Sequence, residues 1–341
     1  MDFDVIMPLT LFVVAVVAMI LQKRAEGKLK QVLEEKEFRV RDTILLVASI
    51  SVTVSLIVLV PQFAIMVVFL FSYSMLLFMF GYLFSDTRGE RVVLFLSAIM
   101  AISIVAVVTS ITVFRALDNA SYGALAFGSL AVFALAAIFR EASGTRSGER
   151  WYVAVLPPAM FVGLYAFFSR TPIWFPYLLN SYALVFAVLI ILYLSTLFKW
   201  KTTLIFAGLL TVMDIVLVLF TKTMVSAAQS VTTLRLPVLV SLPTLPALFL
   251  EGHRLYMSLG LGDFFFAGLL TIQTLKRYGR KTAILTALIM TVSFFIFEVY
   301  MLNFALVAFP GTLMIICGWA ITVAGLEIAK KLTGKTPDHS G

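Results

Sequence analysis

Hydrophobic and polar positions alternate along this chain on a long wavelength. Apolar runs occupy about residues 7–22, 43–60, 63–84, 92–114, 121–139, 152–168, 176–198, 203–220, 257–275, 282–302 and 305–328, with short polar or Pro-containing breaks between them. A helix rising 1.5 Å per residue needs about 20 residues to cross the hydrocarbon core. The pattern therefore predicts about eleven transmembrane helices. The first run is short, and length alone forces hairpins at Pro61 and Asn303. Trp151, Trp174 and Trp200 fall at predicted span ends, where an amphipathic indole suits the membrane interface. Between Phe220 and Met257 the rhythm breaks. There "RLPVLVSLPTLPALFLEG" is apolar but too short to span, and it carries Pro237, Pro243 and Pro246. Such a segment is expected to be re-entrant or interfacial.

Composition turns the pattern into a class. Of 341 residues, 61% are hydrophobic and 13% charged, more apolar surface than a soluble domain can bury. The expected fold is an all-α polytopic membrane protein. The net charge of +8 does not imply nucleic-acid binding, because the basic residues sit in short loops between apolar runs. Assigning alternate loops to opposite sides puts 21 of the 26 Lys and Arg on one side. The minority, Arg115, Arg170, Lys222, Arg235 and Arg254, fall on the other. The positive-inside rule then places the N-terminus outside and the C-terminus in the cytoplasm of a cell-membrane protein. The single cysteine, Cys317, excludes an internal disulfide, and His253 and His339 are too few for a His-based metal site. The acidic start "MDFDVIMPLTLF" reads as a retained first helix, not a cleaved signal. Four regions follow: N-terminal spans with a charged cytoplasmic loop (1–62), the N-terminal part of the bundle (63–198), a region with two membrane aspartates (199–328), and a cytoplasmic tail (329–341).

Three acidic residues lie well within predicted spans: Asp214 in "LLTVMDIVLVLF", Asp263 in "GLGDFFFAG" and Glu298 in "FFIFEVYML". A membrane carboxylate is costly and commonly pairs with a neighbouring hydroxyl or reaches toward the interface; Glu298, near its span end, is expected to do so. Asp214 and Asp263 differ. One span runs outward and the next returns, so both lie about six residues, roughly 9 Å, below the outer surface. Carboxylates at matched depth on neighbouring helices can meet, and in a low dielectric such a pair holds one shared proton. That arrangement suits aspartyl-protease chemistry: one carboxylate takes a proton from water while the other protonates the scissile carbonyl. Gly260, Gly262 and Gly268 around Asp263 would loosen the helix start and admit water and substrate, or else pack against a neighbouring helix.

"GLGD" at 260–263, about fifty residues after a membrane aspartate, resembles the presenilin and signal peptide peptidase family of intramembrane aspartyl proteases, the GxGD type. In "MDIVLVLFTKTMVSAAQS" at 213–230, Thr221, Met224, Val225, Ala228 and Ser230 are spaced as in signal peptide peptidases. The resemblance covers roughly residues 176–328. It implies a presenilin-like helical bundle of about nine core helices, with two extra spans at the N-terminus. Asp214 and Asp263 would be the catalytic pair, and Gly260, Leu261 and Gly262 would line the substrate. The family's Pro-Ala-Leu motif opens its last span; here Pro310-Gly311-Thr312 takes that place, about level with both aspartates. The literal Pro246-Ala247-Leu248 lies between the aspartates and is set aside. Met213 stands where the family usually has tyrosine. With the loop between the aspartates outside, the chain resembles signal peptide peptidase more than presenilin. Substrates would then be transmembrane peptides of type II orientation or residual signal peptides, met in the lipid bilayer. No cofactor, metal or nucleic acid is implied, and the oligomeric state stays open.

Three other readings share these residues. A proton-coupled transporter or channel also uses membrane carboxylates, though no repeat relates the two halves of the chain. A prepilin-type peptidase also uses a G-x-G-D aspartate, but it usually carries a lysine soon after, where this chain has Phe264, Phe265 and Phe266. An inactive scaffold could retain both motifs.

Overall fold

The computed structural model describes residues 2–32, 37–86, 88–113, 120–143, 150–250, 252–304 and 309–333. Arg115, the first residues of the last predicted span (305–308) and the tail 334–341 with His339 lie outside the described residues. Among the described residues, ten helical segments are long and apolar enough to cross a membrane. In chain order the elements are α1 (Ile6–Val32), α2 (Val40–Ile57), α3 (Gln62–Leu83), α4 (Gly89–Thr112), α5 (Ala120–Ala142) and α6 (Trp151–Phe168). A kinked turn (Trp174–Leu178), extended at Phe175 (φ −109°, ψ 129°), leads into α7 (Leu179–Ser195), and α8 (Trp200–Ile215) runs into a π-helical turn (Val216–Phe220). After α9 (Thr223–Thr233) come β1 (Leu239–Pro243), β2 (Phe249–Leu250), β3 (His253–Arg254) and β4 (Tyr256–Gly260). The chain then forms α10 (Leu261–Tyr278), α11 (Arg280–Asn303) and α12 (Gly311–Thr333). The long helix outside the apolar ten is α10, whose 18 residues include Asp263, Lys276 and Arg277. With α10, every predicted run contains a long helix.

Two boundaries differ from expectation. The first helix continues past residue 22 to Val32, because its polar extension is tied down: Glu26 pairs with Lys30 at 3.0 Å and with Lys276 of α10 at 2.9 Å. Residues 257–260, read as helix, are strand β4. The segment 221–256, expected only not to cross as a helix, is α9 followed by an antiparallel hairpin, in which β1 pairs with β4 and β2 with β3. Pro246-Ala247-Leu248 lies within that hairpin, where the Leu248 N–H donates to Thr244 Oγ1 at 3.0 Å.

Two compact units divide the chain. One comprises residues 1–62 and 179–341, the other 63–178. At the centre of the first is α10, which packs against α1, α7, α8, α11 and α12. Its side chains are buried without a break from Phe264 to Thr274, as befits a helix surrounded by protein. Gly268 lets α7 come close: a Cβ there would meet Ile191 Cδ1 at 2.5 Å. Of the two roles open to that glycine, this close approach supports helix packing. Polar groups inside this unit bond the preceding turn of their own helix, a helix end or a neighbouring helix. Gln273 Nε2 donates to the Phe198 carbonyl at 2.9 Å, just beyond α7, and Trp319 Nε1 donates to Thr274 Oγ1 at 3.1 Å. At the start of α1, Asp4 accepts the Ile6 and Met7 N–H groups at 3.2 and 3.0 Å and the hairpin's Leu245 N–H at 2.7 Å. The first helix is therefore built into this unit, not appended to it.

The second unit holds nearly all of α3 with α4, α5 and α6. Here α4 and α5 lie along each other, and α3 approaches α6 so closely that a Cβ on Gly81 would sit 2.9 Å from the Ala154 Cα. Arg150 grips Glu141 with two nitrogens, Nε at 2.9 Å and Nη2 at 3.1 Å, and Tyr152 also donates to Glu141. Trp174, expected at an interface, is fully buried edge-on to Tyr165.

Candidate active site

Each predicted catalytic aspartate sits where a helix loses its regularity. Asp214 is the penultimate residue of α8, immediately before the π-helical turn closed by the Thr221 N–H to the Val216 carbonyl at 2.9 Å. Single π-helical turns concentrate at functional sites. Asp263 is the third residue of α10, which strand β4 enters directly through Gly260 in an extended conformation (φ −70°, ψ 147°). The Asp263 carboxylate turns back to accept the Gly260 N–H. The same device starts α2, where Asp42 accepts the Arg39 N–H at 2.9 Å, and α8, where Thr202 accepts the Lys199 N–H at 3.0 Å. Locally, then, Asp263 is half of a capping box.

The last helix brings the two together. Pro310, buried, precedes α12, and its carbonyl accepts the Met314 N–H at 3.4 Å. The first N–H groups of a helix have no partner within it. Here the Thr312 N–H donates to Asp214 Oδ2 at 3.2 Å, and the Thr312 hydroxyl donates to the same oxygen at 2.6 Å. Its neighbour Gly311 lies against the other aspartate: a Cβ on Gly311 would come 2.5 Å from Asp263 Oδ1 and 2.7 Å from its Cγ. One turn of α12 therefore touches both carboxylates, which lie within electrostatic reach of each other. Both side chains are partly exposed.

The remaining predicted residues frame this pair. Leu261 is buried, and its N–H continues the sheet by donating to the Val238 carbonyl at 3.0 Å. Gly262 is exposed, with nothing within 4 Å of the position a Cβ would take. Gly260 ends the strand and packs under Asp263, whose Oδ2 would be 3.4 Å from a Cβ at that position. Glu298 stands apart from them. It is 1% exposed, and among the described residues neither carboxyl oxygen has a hydrogen-bond partner, so no neighbouring hydroxyl pairs with it there. Asp4 is the charged neighbour that acts on it.

One residue at the site was not anticipated. Asn180, early in α7, donates from Nδ2 to the Ser241 carbonyl at 2.6 Å and accepts the Ser241 N–H at 2.8 Å through Oδ1. It thereby occupies the outer edge of β1 as another strand would. Its signal in the sequence was an amide within an apolar run. Backbone groups alternate in direction along a ladder, so with Ser241 facing Asn180, the paired Ser258 turns its N–H and C=O to the outer edge of β4. Ser258 is exposed and leads within two residues to Gly260.

No protein-family model matches the chain, and no curated protein matches it. Its helices define the class: an all-α, multi-pass membrane protein.

Proposed function

We propose that the protein is an intramembrane aspartyl endopeptidase that hydrolyses transmembrane segments or residual signal peptides. One observation carries this reading: Asp214 and Asp263, from different helices, meet at the first turn of α12 through Thr312 and Gly311. One carboxylate takes a proton from water as the water oxygen attacks the scissile carbonyl carbon. The other gives its proton to the carbonyl oxygen, producing a tetrahedral diol. The diol collapses as the C–N bond breaks and the amine nitrogen takes up a proton. A helical amide is shielded by its own hydrogen bonds, so the substrate must unwind first. The outward edge of β4 supports that step, since an extended substrate adding there would be led by Gly260 toward Asp263. Gly260, Leu261 and Gly262 on one side and Pro310 and Gly311 on the other would flank the cleaved bond. The reading includes a cell-membrane location with the N-terminus outside, the C-terminus cytoplasmic, and substrates of type II orientation.

In reconstituted liposomes, the wild-type protein is expected to cleave a signal-sequence peptide, while Asp214→Asn and Asp263→Asn each lose turnover by at least about 10³-fold. Turnover at the wild-type rate in either variant would refute the proposal.

A further inference from the structure

Resting on that reading, we infer that Thr312 is a positioning residue that makes the two aspartates unequal, holding Asp214 as the anionic base and leaving Asp263 to carry the proton. A backbone N–H can only donate. Because the Thr312 N–H is directed at Asp214 Oδ2, that oxygen is an acceptor and not the protonated one. The hydroxyl then serves as a second donor to the same atom, at 2.6 Å, and two donors converging on one oxygen favour the ionised carboxylate over the neutral acid. With Oδ2 engaged twice, Oδ1 is the atom left to receive the proton of water. Asp263 is held differently: its donor is the Gly260 backbone, and its other neighbour is the bare Cα of Gly311, which gives no hydrogen bond. The helix that bridges the carboxylates thus donates its side-chain hydrogen bond to Asp214 alone.

The surrounding charges leave this asymmetry to Thr312. Of the helices packed on α8, α10 brings Asp263 to Asp214. Arg41 and Asp42 open α2 at the opposite end, beside the start of α8, where the Phe38 N–H meets the Leu197 carbonyl at 2.8 Å and Lys199 pairs with Glu37. Glu327 is near the far end of α12, 3.4 Å from Arg277. Lys222, before α9, is exposed.

The test compares Thr312→Val, Thr312→Ala and Thr312→Ser in the full-length protein with the signal-sequence peptide above, each variant checked for folding by its melting temperature in detergent. Val and Ala remove the hydroxyl. Without that donor the Asp214 anion is easier to protonate, so the acid limb of the kcat/KM profile should move up by about one pH unit. At the pH optimum kcat should fall about 10- to 100-fold, with KM within about twofold. Thr312→Ser keeps the hydroxyl and should restore the wild-type profile. An unshifted acid limb in a folded Val or Ala variant overturns the inference while leaving the hydrolase reading intact, and so does a Ser variant shifted as far as Val. Cleavage that survives Asp214→Asn overturns both.

Discussion

Gly311 is the residue at which the proposed site has least slack. A single methyl group there would have to occupy space already held by the Asp263 carboxylate, 2.5 Å from Oδ1. Neither backbone nor carboxylate can yield without changing the geometry of the pair, and misplacement of a reacting group by about 1 Å can cost about 10²-fold in rate. Gly311→Ala is therefore expected to lower turnover by about 10²-fold or more while the melting temperature falls only slightly; a fully active variant would show that the contact is unimportant. At this scale the sequence was informative where chemistry and environment clash. Asp214 and Asp263 stood out because carboxylates are rare in apolar runs. Thr312 could be placed near them by depth, but its bonds to Asp214 depend on the direction of a helix start, which spacing does not encode. Glu298 looked like an acid with a partner within reach, yet its oxygens have none among the described residues. Only the packing of α11 with its neighbours decides that.

At the scale of elements, the hairpin is the piece least legible in the chain. Tyr256–Gly260 is continuous in hydrophobicity with α10, and a short apolar run does not separate strand from helix. The partner strand β1 decides the matter, since it pairs with β4 from Leu239↔Gly260 to Pro243↔Tyr256. A two-stranded hairpin is marginal by itself. Here Asn180 adds two hydrogen bonds at Ser241, and Asp4 adds another at Leu245. Asn180→Ala leaves both Ser241 groups without that partner, a loss of about 1–3 kcal/mol for each group that stays buried. Faster hydrogen exchange at residues 239–243 is the expected result. If substrate pairs with β4, KM should rise more than kcat falls. Exchange unchanged at Ser241 would mean that α7 does not hold the hairpin.

At the scale of the whole molecule, ten of the eleven predicted spans were readable because length and apolarity are what lipid demands; α10, the eleventh, is a helix that falls outside those ten. The division into units was not readable, because it depends on helices far apart in sequence: α1 and α2 join α7–α12, and residues 63–178 form the other unit. The sidedness proposed from the basic loops can be tested directly, since Cys317 is the sole cysteine. In a Cys317→Ala background, His253→Cys at the exposed hairpin should react with an impermeant maleimide added outside intact cells. Lys281→Cys, exposed at the start of α11, should react only after permeabilisation. The reverse pattern would invert the topology and the substrate orientation that follows from it.

The burial of α10 has a consequence for how the protein is made. This helix carries Asp263 near one end and Lys276 and Arg277 near the other, a poor candidate for partitioning into lipid by itself. Three of the helices it packs against, α1, α7 and α8, precede it in the chain and are already synthesised when it emerges. Its partners α11 and α12 follow. During biogenesis α10 therefore has a protein surface to enter against, so membrane integration of the segment bearing the second acid is tied to assembly of the first half of its own unit.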